Sequence, residues 1–308
     1  MRRRKPMNEL INMLLSERIS FAEHCPVARY NTYRIGGTAR LAVFPKSCQQ
    51  MIKTLSVAWG QNLTYSVVGK GSNLLFPDGE YEGVLIFTAG MQGIECAENR
   101  MDVLAGTPLA AVSLRAGSLS LSGVEFAAGI PGTVGGAVLM NAGAYGGSME
   151  QIVTYVECLN TETGVVERYG HGEHGFGYRT SRYACEENSV ILQVGVQLHR
   201  GDSKAISELM SDYRRRRIAT QPLEYSNCGS VFKNPEGYSA GKLIEACGLK
   251  GANIGGAYVS EKHANFIVNK GGATAQDVKE LIAFVRQTVE KQKGISLMCE
   301  LRGLGFQL

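Results

Sequence analysis

"GIPGTVGGAVLMNAGAYGG", residues 129 to 147, carries seven glycines among nineteen residues, with alanine, valine, leucine and methionine filling most of the rest. A flexible linker would be polar, so this mixture is something else. Glycine loses more backbone freedom on folding than any other residue, and an apolar segment this rich in it must need close approach to its backbone. Two uses compete. The chain can wrap a large planar or phosphorylated ligand, with Gly129, Gly132, Gly135, Gly136, Gly143 and Gly146 admitting contact and main-chain N–H groups acting as donors. In that case Ile130, Pro131, Val134, Asn141 and Ala144, which lie among the glycines, join the site. Alternatively the glycines let a strand pack tightly on a helix.

A second stretch, "VVGKGSNLLF" at residues 67 to 76, bears on the choice. It reads as an apolar strand, a turn made by Val68, Gly69, Lys70, Gly71, Ser72 and Asn73, and a second apolar run. Consecutive N–H groups in such a turn form a nest for phosphate oxygens, and Ser72 and Asn73 add side-chain donors. It is not the Gly-x-Gly-x-x-Gly fingerprint, because Leu74 stands at the third glycine and no amphipathic helix follows. An ordinary turn is the alternative. Two glycine-rich segments in one chain, neither a P-loop, favour a bound dinucleotide outside the Rossmann class.

Around these segments the chain has room for two or three domains, with 308 residues, 44% hydrophobic and 19% charged. No apolar run approaches the roughly 20 residues that span a bilayer. The N-terminal "MRRRKPMNELINMLLSERIS" lacks a long apolar core and a small-residue cleavage site, and predicts a short amphipathic helix on a cytosolic protein. The net charge is +4, but the runs Arg2 to Lys5 and Arg214 to Arg217 supply eight positive charges, and without them 24 basic residues face 28 acidic ones. Nucleic acid is therefore not an expected partner, although a local anion site near Arg214 to Arg217 stays open. Cysteines at 25, 48, 96, 158, 185, 228, 247 and 299 form no Cys-x-x-Cys pair, so reduced thiols are expected rather than a zinc site or disulfide framework.

Residues 1 to 100 alternate helix and strand patterns as a small α/β unit. From residue 101 short strands and turn signals take over. In "SVILQVGVQL" the period-two residues Val190, Leu192, Val194, Val196 and Leu198 predict a half-buried strand. A helix follows, capped by Asp202 or Ser203, with Ile206, Leu209, Met210 and Tyr213 as its apolar stripe. A domain boundary is placed near its start, giving segments 1–100, 101–200 and 201–308. In the last segment Thr274 and Asp277 have capping-box spacing, ahead of a face of Val278, Leu281, Ile282, Val285 and Val289. A strand over "SLMCELRGLGF" closes the chain.

Three further segments hold candidate chemistry. "GFGYRTSRY" offers Arg179 and Arg182 among aromatic rings, where a guanidinium is preorganised for a carboxylate or phosphate, or is merely stacked on a surface loop. His171 and His174 nearby lack a third metal ligand. "NCGSVFKNP" places Ser230 outside any Gly-x-Ser-x-Gly elbow, which suits a hydrogen-bonding group or proton donor better than a nucleophile. Glu300 sits among apolar neighbours, exposed or deliberately placed in a site.

"NTYRIGG" (31 to 37), "VVGKGSNLLF", "AGIPGTVGGAVLMNAGAYG" (128 to 146), "YRTSRY", "GSVFKNP" and "CELRGLG" occur here in an order that closely resembles the UDP-N-acetylenolpyruvoylglucosamine reductase family, from about residue 20 to the C-terminus. The resemblance implies an α+β fold, with FAD held by two α+β subdomains of the vanillyl-alcohol oxidase type (1–100 and 101–200). An α+β substrate domain (201–308) would follow, whose last strand returns Glu300 to the active site. It implies that NADPH is the hydride donor and that the enolpyruvyl ether of UDP-N-acetylglucosamine is reduced to UDP-N-acetylmuramate, a peptidoglycan precursor. By the same resemblance Arg179 stabilises the enolate, Ser230 protonates the carbanion and Glu300 assists at the enol. Lys233 and Asn234 would hold substrate, Arg217 and Gln221 would face its diphosphate, and Lys262 and His263 would border the nucleotide. The glycines of 69 to 71 and 129 to 147 would line the FAD with their amides on the pyrophosphate. Only residues 184 to 228 separate the arginine and serine motifs, so the chain resembles the shorter type of the family, without the inserted tyrosine segment that covers substrate. An FAD-dependent oxidase of the vanillyl-alcohol oxidase type, a silent nucleotide- or sugar-binding protein and an NAD-dependent Rossmann dehydrogenase are the competing readings. The joint presence of Arg179, Ser230 and Glu300, and the missing fingerprint, count against them.

Overall fold

The computed structural model describes residues 4–186 and 188–308; the basic cluster Arg2 to Lys5 falls outside the described side chains. The N-terminal helix Arg4–Ser16 turns Met7, Leu10 and Leu14 inward, the i, i+3, i+7 spacing of one helix face. Helix Cys48–Gly60 starts where the Ser47 hydroxyl accepts from the Gln50 N–H at 3.2 Å, and it buries Met51, Leu55 and Ala58. Both helices share a core with Leu41, Val43, Val84 and Ile86. Those last four come from a four-stranded sheet in the order Ser20–Pro26, Thr38–Phe44, Glu80–Phe87, Tyr65–Val68, its final pair parallel. Burying each such aliphatic side chain contributes roughly 1.5–3 kcal/mol.

A second sheet, antiparallel throughout, has the order Val166–Gly170, Val153–Asn160, Ser189–Gln197, Arg100–Leu104, Ile94–Ala97. The strand expected over 190 to 198 forms as Ser189–Gln197 with its five named residues buried, but it is buried on both faces rather than half-buried. Ile191 is buried as well as its neighbours, and Val190 and Leu192 join the first core while Ile191, Val194, Val196 and Leu198 join the second. The cause is a register shift against Glu157 and Cys158. The extra residue there rotates the strand, so strict alternation no longer sorts its side chains onto one face. Helix Ser203–Thr220 begins with the Asp202 carboxylate accepting from the Ala205 N–H. Of the stripe expected on it only Ile206 is buried, and Leu209 is 39% exposed.

A third core packs helices Ala240–Ala246 and Ala275–Lys293 on a sheet ordered Ser226–Asn227, Ile267–Asn269, Ala257–Val259, Asn253–Ile254. The long helix buries Val278, Leu281, Ile282, Val285 and Val289 as its spacing required, and the Thr274–Asp277 capping box is formed. Asp78 strengthens this start, its two carboxylate oxygens accepting from the Ala275 and Gln276 N–H groups. The Thr274 N–H, the Gly256 N–H and the Thr274 hydroxyl hold the Asp277 carboxyl below the usual carboxylate range. A carboxylate depressed in the folded state stabilises above its ordinary pKa and loses that contribution as pH falls toward the lowered value. Asp277→Asn is therefore expected to flatten the acid limb of a urea-midpoint profile below about pH 4, where the parent protein weakens more steeply. Parallel profiles for the two proteins would contradict this.

By its internal contacts the chain divides into two units, residues 1–23, 41–70 and 82–215 in one and 24–40, 71–81 and 216–308 in the other. The division falls inside helix Ser203–Thr220 rather than at residue 201, and the second unit also takes two short segments from the first hundred residues. The closing strand expected over "SLMCELRGLGF" shrinks to Arg302–Gly303, parallel to Leu74–Leu75, plus a bridge from Cys299 to Phe232.

Candidate active site

In the first unit, the stretch 129 to 147 folds as a loop, a short helix Val134–Leu139, and a hairpin of Gly143–Ala144 with Gly147–Ser148. Thr133 caps the helix, its hydroxyl accepting from the Gly136 N–H. Many of the glycines serve packing. A Cβ on Gly69 would lie 2.4 Å from the Thr133 hydroxyl, one on Gly135 3.0 Å from the Ala105 methyl, and one on Gly143 2.6 Å from the Gly147 carbonyl. The expectation that the amides of 134 to 136 meet a pyrophosphate needs correction. Val134 and Gly135 donate to the Thr107 and Ala105 carbonyls, and Gly136 to Thr133. Those donors are spent on the protein because the short helix is tied to the turn that follows strand Arg100–Leu104 and to its own cap.

What stays open is the loop before the helix. Gly129, Ile130 and Gly132 are half-buried, Pro131 is exposed, and the Gly129 and Gly132 N–H groups find no acceptor among the described residues. Gly136 is exposed, and its nearest atom to a hypothetical Cβ is 3.5 Å away. A bare backbone ledge with unclaimed donors suits a phosphate-bearing ligand. Asn141 plays another part. Its amide donates to the Gly177 carbonyl and to Glu150, and its oxygen accepts from the Glu150 N–H.

That bond to Gly177 anchors the turn that presents Arg179. Gly177 and Thr180 exchange backbone hydrogen bonds, and Arg179 lies at the tip with φ 56°. The Ser181 hydroxyl ties the turn to the Leu139 carbonyl, and Arg179 Nη2 donates to the Gly143 carbonyl at 3.1 Å. Arg182 is committed elsewhere. Its guanidinium lies 3.8 Å over the Tyr169 ring and donates twice to Glu186. Of the two arginines in the motif, Arg179 is the one presented at a turn tip. His174 is buried, hydrogen-bonded through Nδ1 to Tyr183, and burial lowers its pKa. Among the described residues no cluster of histidine, cysteine or carboxylate side chains forms a metal site, and all eight cysteines are thiols.

The second unit brings Ser230 and Glu300 onto adjoining backbone. Phe232 bridges Cys299, the Glu300 N–H donates to the Val231 carbonyl at 2.8 Å, and the Lys233 N–H donates to the Met298 carbonyl. Nothing in either local sequence announces this pairing. Ser230 is half-buried between buried Cys228 and Val231, and burial pushes the Cys228 thiol up to about 12. Asn265 braces the segment through its backbone and amide, to Val231 and to both sides of Phe232. Asn73 donates its side-chain amide to the Glu300 carbonyl, and its backbone carbonyl accepts the Arg302 N–H, so this residue supports the last strand. Gly71, at φ +60°, leaves no room for a Cβ, which would fall 2.7 Å from that of Asn31. Sequence reasoning missed Asn31 and Asn265, whose only signal is a buried polar type within a glycine-rich or apolar run.

The substrate candidates also belong to the second unit, Arg217 included. The Lys262 ammonium donates to the Ile218 carbonyl at 2.6 Å and lies 3.8 Å from Glu224, fastening the end of the helix that bears Arg217. Gln221 carries a buried side-chain oxygen with no hydrogen-bond partner among the described residues. His263 accepts the Asn265 N–H at Nδ1, packs edge-on against Phe266, and has its pKa lowered by burial, so it is a packed residue. Asn234 accepts the Ala240 N–H at 3.0 Å.

A family model described as an FAD binding domain matches residues 39–170, and one for the C-terminal domain of UDP-N-acetylenolpyruvoylglucosamine reductase matches residues 221–304. The chain is 40% identical over 301 residues to UDP-N-acetylenolpyruvoylglucosamine reductase 1 of Bacillus thuringiensis subsp. konkukian, covering 97% of this chain and 100% of that one. It is 43% identical over 289 residues to the Caldicellulosiruptor bescii reductase, covering 93% and 91%. The crystal structure of the Thermus caldophilus enzyme matches with a TM-score of 0.77 at 33% identity, over 93% of this chain and 98% of that one.

Proposed function

The chain belongs to the UDP-N-acetylenolpyruvoylglucosamine reductase family, and from that premise we propose how its own residues carry the reaction. It is an FAD-dependent oxidoreductase of peptidoglycan precursor synthesis, with NADPH as hydride donor and the enolpyruvyl ether of UDP-N-acetylglucosamine as substrate. The ledge at Gly129 and Gly132 supports the cofactor assignment, since these two N–H groups have no acceptor among the described residues. The backbone of Gly69 to Ser72 is assigned to the same ligand. Residues 1–100 and 101–200 are read as the two flavin-binding subdomains and 201–308 as the substrate domain. Bound FAD supplies the two-electron relay between NADPH and the terminal carbon of the substrate's double bond.

Adding hydride to that carbon leaves negative charge on the carbon beside the carboxylate, delocalised as an enolate. Arg179, a permanent cation at a fixed turn tip, opposes that charge. Ser230 delivers the proton that completes the ether, and Glu300, on the adjoining strand, assists at the enol. Lys233, Asn234, Arg217 and Gln221 hold the sugar nucleotide, with Lys262 and His263 at its border. The observation that carries this reading is the backbone pairing of the Ser230 and Glu300 segments. Among the described residues no helix is long and apolar enough to cross a membrane, and we place the enzyme in the cytoplasm.

The purified protein is expected to be yellow, to bleach with NADPH under anaerobic conditions, and to regain colour when the enolpyruvyl sugar nucleotide is added. Bleaching without recovery would leave a flavoprotein and remove the proposed substrate.

A further inference from the structure

The hairpin that receives Arg179 is closed by a residue that does not suit its turn. Tyr145 and Gly146 connect Gly143–Ala144 to Gly147–Ser148 with φ of 55° and 85°. Two positive φ values mark a type I′ turn, which favours asparagine or glycine first and disfavours a bulky side chain. The tyrosine makes specific contacts in this strained place. Its ring lies on Tyr213 of helix Ser203–Thr220, with centroids 4.4 Å apart and planes 6° from parallel, and its hydroxyl donates to the Tyr213 carbonyl at 3.1 Å. The residue stays 39% exposed, so burial alone does not account for it.

The other end of the hairpin explains the clasp. The Met149 N–H bonds to the Ala142 carbonyl, so Gly143 and Ser148 form the alternate, non-hydrogen-bonded pair. The Gly143 carbonyl is thereby directed out of the hairpin, and Arg179 Nη2 donates to it. Asn141, two residues earlier, holds the Gly177 carbonyl of the arginine's own turn.

We propose that Tyr145 is a positioning residue for Arg179: by clasping Tyr213 it fixes the hairpin, and the hairpin fixes the carbonyl on which the guanidinium is aimed. This rests on the role given to Arg179 above. The clasp holds one end of the hairpin and the arginine leans on the other, so loosening the turn tilts the carbonyl and lets the guanidinium wander.

The test uses full-length, flavin-loaded enzyme with Tyr145→Gly, Tyr145→Phe and, from the opposite side of the clasp, Tyr213→Ala. Glycine relieves the turn, so thermal stability is expected to hold or rise. Amide hydrogen exchange over residues 177–181 is nevertheless expected to accelerate, and oxidation of reduced enzyme by the enolpyruvyl substrate to slow about tenfold, the scale of a sub-ångström misplacement. Tyr145→Phe keeps the stacked rings and is expected to retain most of the rate, while Tyr213→Ala mirrors the glycine variant. Unchanged exchange at 177–181 in both Tyr145→Gly and Tyr213→Ala would overturn the proposal. So would equal slowing of both half-reactions with lost stability, the mark of a merely structural tyrosine. Failure of the Arg179 reading is distinguishable, because Arg179→Gly would then leave the substrate step intact while the exchange response to Tyr145→Gly persisted.

Discussion

Ser230→Ala is expected to slow oxidation of the reduced enzyme by its enolpyruvyl substrate by about 10²–10⁴-fold, the contribution of a positioned general acid. Reduction by NADPH should change by no more than a few fold, because that step needs no proton at the substrate carbon. A serine hydroxyl is a weak acid and yields its proton only to a strongly basic carbon held close, so placement matters. The frame that places it does not involve the hydroxyl. The Val231 and Phe232 N–H groups are held by Asn265, and Gly229 turns the chain at φ +77°. Alanine occupies the same backbone without strain, so lost folding would not account for lost rate. Stopped-flow measurement of the two half-reactions separates the outcomes, and comparable slowing of both would refute the role assigned to Ser230.

Arg179→Gly should cost the same half-reaction about 10²–10³-fold, the scale of one preorganised electrostatic donor. Glycine is the informative replacement because Arg179 holds a positive φ of 56°. A glycine there relaxes the turn, and the Asn141 and Ser181 tethers do not pass through the arginine side chain. Stability is therefore expected to be kept while the charge is lost. Arg179→Lys should recover only part of the rate, since an ammonium on a flexible stem cannot brace one nitrogen on the Gly143 carbonyl and present the rest of a rigid fork. A glycine variant that turns over like the parent would remove Arg179 from the mechanism.

The glycines of the two rich stretches serve two different ends. Gly69, Gly135 and Gly143 are glycines because protein atoms occupy the place of a side chain, whereas Gly129 and Gly132 keep N–H groups without an acceptor among the described residues and a Cβ on Gly136 would meet nothing closer than 3.5 Å. Composition cannot separate these uses, since a missing side chain leaves the same letter in both. The strand over 190 to 198 carries a similar lesson. Its alternation is real, but a register shift against the partner strand, with Leu192 as the extra residue, decided which core each side chain entered.

Local patterns determined by themselves the capped helices, the turn residues and the order of motifs that marks the family, because caps, periodicity and φ preferences act within a few residues. The Thr274 capping box and the buried face after it needed no tertiary knowledge. Tertiary structure alone decided that Ser230 and Glu300 share a backbone pairing, that Asn73 supports the strand of Glu300, and that Arg179 rather than Arg182 is presented at a turn tip. Those facts depend on hydrogen bonds between segments tens to hundreds of residues apart. Such bonds form only where two segments meet, and neither segment records the meeting.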